Sequence, residues 1–128
     1  MPYEKGVESD ETWRLNDWDE AGLRELLRKL RCEDKALLKL LAEAGGAMRQ
    51  DRLMQTIPFL RGKTSASLRS LKSHINASCK GCGKAPILAV GTGPGSLRVH
   101  EINPRLGDLR EVVIEEAKAF EIPEGAFE

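Results

Sequence analysis

Leucines recur at helical spacing twice in the first third of the chain, at positions 23, 26, 27 and 30 and again at 37, 38 and 41. Stripes of that width form on helices and must be buried against something else, so the first half of the fold is helix packed on helix. Asp17 followed by Glu20 has the spacing of a capping box, in which each side chain accepts from an amide that the first helical turn leaves unpaired. A second start lies at Glu33-Asp34, and Gly45-Gly46 closes that run with residues that tolerate left-handed backbone. One long bent helix over both runs is the alternative.

After the short stretch Ala47-Met48, the pattern changes. Leu53, Met54 and Ile57 give Gln50 to Ile57 a short amphipathic helix that Pro58 ends, and Phe59 to Lys63 turns. Thr64 or Ser65 can cap a third helix reaching about Ser78. Its apolar face is narrow: at ~100° per residue, Leu71 and Ile75 fall within about 60° of Leu68, with Arg69, Ser70, Ser73 and Asn76 elsewhere. Such a helix presents much of its surface outward. Pro86 to Val90 and Leu97 to Ile102, rich in branched residues, flank Gly91 to Ser96 and predict a hairpin. Asn103-Pro104, or Asp108 with Glu111, opens a last helix with Leu109, Val112, Val113, Ala117 and Phe120 on its apolar side. The expectation is an α+β fold, mainly α: a polar arm over 1–16, a single domain over 17–122 and a tail over 123–128.

Net charge is zero, yet charge is unevenly placed. Residues 1–48 carry 8 basic and 11 acidic side chains, a net of −3; residues 49–84 carry 8 and 1, a net of +7; residues 85–128 carry 4 and 8, a net of −4. A cationic centre between anionic flanks suggests a surface that attracts a polyanion, most often nucleic acid.

Helix, short strand, helix, turn, helix, hairpin is an order of elements in which residues 33–103 resemble the winged helix-turn-helix superfamily of DNA-binding domains. The resemblance implies that residues 64–78 are a recognition helix entering the major groove and that the hairpin is a wing touching the backbone or minor groove. Arg69 then reads guanine edges, and Ser65, Ser70, Ser73 and Asn76 are polar groups short enough to let bases approach. Arg49, Arg52, Lys63, Lys72 and Lys80 are expected on phosphates, with Arg98 on the returning strand of a wing whose tip has no Lys or Arg. The implied function is duplex DNA binding without catalysis, as a transcriptional regulator. Helices outside the core motif commonly dimerise such proteins, which nominates residues 18–30 and 105–120 for a homodimer interface. The competing reading is a winged-helix module that binds protein through an apolar patch near Trp13, Trp18 or Phe59.

Cys79-Lys80-Gly81-Cys82-Gly83 has the form of a zinc-ribbon knuckle, and Cys79 with Cys82 would supply two thiolates to zinc. Cys32 and His100 are candidate further ligands. The glycines of Val90 to Gly95 do not complete a cofactor-binding turn, because Ala89 stands where an acid belongs and a strand follows where a helix belongs. The two histidines, His74 and His100, have no nearby nucleophile and carboxylate at a catalytic spacing, so no enzyme is expected. No apolar run approaches the ~18 residues of a membrane span. The acidic segment from Met1 to Asp19 does not read as a secretory signal, and three cysteines favour reduced thiols in a cytoplasm.

Overall fold

The computed structural model describes residues 18–57, 60, 62–81, 86–93, 95 and 97–122, and its fold is α+β and mainly helical, with one small antiparallel sheet. In chain order the elements are α1 (Glu20–Arg28), α2 (Cys32–Glu43), β1 (Ala47–Arg49), α3 (Gln50–Thr56), α4 (Ser65–Gly81), β2 (Leu88–Thr92) and β3 (Arg98–Ile102). A 3-10 turn (Pro104–Leu106) and α5 (Leu109–Lys118) follow.

The leucine runs form two helices, not one bent helix. Lys29 donates to the Leu26 carbonyl at 3.1 Å and closes α1, while Arg31 is extended and donates its amide to Asp34 Oδ2 at 3.2 Å. The carboxylate of Asp34 thus satisfies an amide that a fresh helix start leaves unpaired. At the front of α1 the expected cap moves by two residues. Asp19, not Asp17, is the N-cap, its Oδ1 accepting from the Gly22 amide at 3.3 Å; Asp17 lies outside the described residues. The side chain that caps must sit on the extended residue directly before the first turn, and here that turn begins at Glu20.

Gly45 and Gly46 end α2 with φ of 90° and 106°. At Gly46 a side chain would also collide with the guanidinium of Arg110, which occupies the space a Cβ would need. Arg110 Nε donates to the Ile102 carbonyl at 3.0 Å, and the Ile102 amide donates to the Gly46 carbonyl at 2.8 Å. One glycine therefore lets the end of α2, strand β3 and helix α5 meet.

The sheet has the order β1-β3-β2. Strand β1, which precedes α3 and α4 in the chain, pairs with the far edge of β3 through Met48↔His100, and the hairpin pairs Leu88↔Ile102, Val90↔His100 and Thr92↔Arg98. Paired residues share a face, and side chains alternate along each strand. On the face carrying Arg98, His100 and Ile102, the inner two residues are buried and Arg98 is exposed.

The core joins Leu23 and Leu27 of α1, Leu37 and Leu41 of α2, and Val113 and Ala117 of α5, all essentially without solvent contact. Each fully buried leucine contributes ~1.5–3 kcal/mol, which is why the leucine stripe governs this half of the molecule. Trp18 packs into the same core; Trp13 lies outside the described residues. Helix α4 runs past Ser78 because Cys79 continues the stripe of Leu68, Leu71 and Ile75 and is buried with them. Asn103-Pro104 opens a 3-10 turn, with Asn103 Oδ1 accepting from the Arg105 amide at 3.0 Å, and α5 begins after Asp108, whose side chain makes no capping hydrogen bond.

Candidate nucleic-acid interface

Helix α4 is braced on both flanks. Turning ~100° per residue from Leu68 sets Lys72, Asn76, Arg69 and Lys80 on one flank and His74 on the other, with Ser73 and Ser70 outermost. Asn76 Nδ2 donates to the Leu88 carbonyl at 3.1 Å, and its Oδ1 accepts from the Leu88 amide at 3.0 Å, fastening the first flank to the hairpin. On the other flank His74 Nδ1 lies 3.2 Å from Oδ2 of the fully buried Asp34 on α2. Asp34 also accepts from the side chain of Arg31 at 3.3 and 3.1 Å. Fixed this way, α4 holds Arg69, Ser70, Ser73 and Lys80 in solvent.

Two expected contacts are reassigned. Asn76 does not face outward as a base reader; both ends of its amide are committed to Leu88, whose backbone the hairpin would otherwise leave unpaired. Arg49 is no free phosphate anchor, because its guanidinium makes two bonds to the Asp51 carboxylate and its charge is cancelled there. Arg52 on α3 and Lys63 just before α4 are exposed, Lys72 is half-buried, and Arg98 stands exposed at the outer end of β3. The Ser65 side chain lies outside the described residues.

The decisive contrast is electrostatic. On α1 and α2 several cations are matched: Arg24 binds Glu20, Glu115 and Glu116, Arg28 binds Glu116, Lys29 binds Glu25, and Lys39 lies near Glu43, whereas Lys35, Arg110 and Lys118 form no ion pair among the described residues. Among the described residues, Arg52, Lys63, Arg69, Lys72, Lys80 and Arg98 form no ion pair. Burial pushes the Lys72 ammonium below its usual range, and Arg98 and Arg69 add to the push. His100, buried on β3, is lowered to about 4 by burial and by Lys72 and Arg98, so it is neutral at pH 7. Its Nε2 lies 2.9 Å from Gln50 Oε1, and its Nδ1 has no partner among the described residues.

The other sequence-stated sites fare differently. Cys79 is a core residue whose thiol donates to the Ile75 carbonyl at 3.5 Å, a helical back-bond rather than the open turn of a metal knuckle; Cys82 lies outside the described residues. No group of three or more His, Cys, Asp or Glu fit to hold a metal occurs among the described residues. The segments nominated for a homodimer, 18–30 and 105–120, pack against each other within the chain. Leu23, Leu27, Val113 and Ala117 share one core, and Arg24 and Arg28 close the seam onto Glu116, while Leu26, Leu109 and Val112 stay partly exposed. No helix among the described residues is long and apolar enough to cross a membrane.

The chain matches no family model, no curated protein and no solved structure. The interface therefore stands on its own residues. Two of its supports, the His74–Asp34 brace and the Gln50–His100 contact, join residues far apart in sequence. Asp34 looked like a cap alone, and no spacing signal points from it to His74.

Proposed function

We propose that residues 33–103 form a winged helix-turn-helix, with α4 as the recognition helix and β2–β3 as the wing, and that it binds duplex DNA without catalysis as a transcriptional regulator. The order β1-β3-β2, in which a strand ahead of the two helices completes the hairpin, supports this reading. The observation that carries it is the set of cations on α4 and the hairpin, Arg69, Lys72, Lys80 and Arg98, that meet no carboxylate among the described residues, with the half-buried Lys72 feeling the charge of two of them. Charges left without partners in the free protein are those a polyanion can use. Arg69, Ser70 and Ser73 occupy the outward face where base edges would lie, and Arg98 gives the wing a cation that its tip lacks.

The test is a salt titration of binding to duplex DNA selected from a random pool. Affinity should fall log-linearly with salt. Arg69→Ala should weaken the selected duplex ~10-fold and relax preference at one position. No duplex binding at low salt ends the reading.

A second reading rests on a shallow apolar groove lined by Ala36, Leu40 and Ile57, with Ile122 at one side and Lys39 and Glu43 at its edge. A protein partner docked there would bind with little salt dependence, the opposite of the DNA result.

A further inference from the structure

Asn76, Lys72 and Arg69 follow one another along the flank of α4 that faces the hairpin, while Leu88/Ile102, Val90/His100 and Thr92/Arg98 follow one another along the sheet face. Two strand residues advance ~6.6 Å, and three or four helix residues advance ~4.5–6 Å, so the two ladders keep nearly in step. Asn76 is fastened at the first rung, on Leu88. That alignment brings Lys72 to the level of His100 and Arg69 to the level of Arg98. The electrostatics agree, since Lys72 feels Arg98 and Arg69, and His100 feels Lys72 and Arg98.

At the second and third rungs, then, the seam between α4 and the wing holds three cations. One is half-buried, and none has a carboxylate among the described residues. A fold gains nothing from a half-buried ammonium facing two guanidiniums; the arrangement is a standing cost unless an anion completes it. We propose that Lys72, Arg69 and Arg98 form a preformed seat for one phosphate group, with the Thr92 hydroxyl beside it. The two guanidiniums offer forked donors to its oxygens, and the Lys72 ammonium supplies a charge from the floor of the seam. As the seat of a DNA backbone phosphate it rests on the reading above; a free phosphate ester has the same chemistry.

Thermal unfolding at pH 7 tests the seat without DNA, in sodium phosphate against sodium chloride at equal ionic strength. At about five times its Kd, phosphate should raise the wild-type Tm by ~4 °C, and the rise should continue logarithmically with concentration. Lys72→Met keeps the stem and removes the charge. In chloride it should unfold at or above the wild-type temperature, and its phosphate increment should vanish; Arg98→Gln, at an exposed strand end, should halve the increment or more. The general salting-in-place effect of phosphate on any protein surface persists in the variants and is subtracted by them. Equal phosphate increments in wild type and Lys72→Met, or a Lys72→Met protein less stable than wild type in chloride, would overturn the seat.

A short duplex at low salt is the second arm. If the duplex binds and the phosphate increment fails, the seat falls and the DNA reading stands. If the increment holds and no duplex binds, the DNA reading falls and the seat belongs to a free phosphate ester.

Discussion

The α1–α5 pole and the face between α4 and the β2–β3 hairpin treat the same kind of side chain in opposite ways. In the first, Arg24 is surrounded by three carboxylates and Arg28 shares one of them, so the cations are part of the packing. In the second, Lys72, Arg69 and Arg98 are crowded together with no anion among the described residues. Helix α2 contacts both regions: Lys39 donates to the Lys118 carbonyl of α5, and Asp34 receives His74 of α4. The half-buried Lys72, with two guanidiniums and no carboxylate near it among the described residues, is the one of these cations whose position costs stability. The difference separates charge that holds the fold from charge that, on the proposed reading, is left for a ligand.

Three substitutions sharpen or break that division. The largest effect should come from Asn76→Ala, because the Asn76 amide is committed to the Leu88 backbone. Losing both bonds to Leu88 leaves a buried amide and carbonyl unpaired and should cost roughly 2–4 kcal/mol in urea unfolding. A loss below about 1 kcal/mol would return Asn76 to the ligand side.

Next is Glu116→Gln, which strips Arg24 and Arg28 of their shared partner and should cost ~1 kcal/mol, with duplex affinity unchanged. Burial raises the Glu116 carboxyl, but hydrogen bonds from Arg28 and Arg24 prevail and hold it below its usual 4.5. A lowered carboxylate stabilises above its unfolded pKa and loses that contribution as pH falls through the folded value. Stability of the wild type should thus fall in two windows. His100, lowered from 6.5 to about 4, acts in the first, because the unfolded imidazole takes up a proton the buried one refuses. Glu116 acts below 4.5, and its substitution should flatten only this second limb.

The smallest effect is expected from Asp51→Asn. It releases Arg49 and should tighten duplex binding about twofold at low salt while leaving the urea midpoint unchanged. An affinity that does not move would mean that Arg49 lies beyond reach of the bound strand.

The elements were legible because their signals are local. Leucine spacing, Gly45-Gly46 and the glycine-rich turn before Leu97 are each read within a few residues, and they placed the helices and the hairpin near their observed bounds. Helix caps were less legible: Asp17 and Asp19 both precede an acidic first turn, and only the geometry of the chain entering Glu20 selects Asp19. The candidate site was legible as a charge block but not as a surface. Arg49 and Lys72 look alike in a count, whereas one is cancelled by Asp51 two residues on and the other feels the charge of Arg98 from a distant strand. Asn76 misled for the same reason, since an amide at helical spacing from Arg69 carries no mark of the Leu88 backbone it will meet.

The clustering of acids on α5 has a kinetic side. Glu115, bound to Arg24, and Glu111 are exposed on that helix, whereas the cations without ion pairs, Arg69, Lys72, Lys80 and Arg98, lie on α4 and β3. A polyanion approaching the molecule meets repulsion on one side and attraction on the other, and the resulting torque turns the protein before contact. Fewer encounters are then wasted in wrong orientations, so association speeds up while the contacts that hold the complex stay the same.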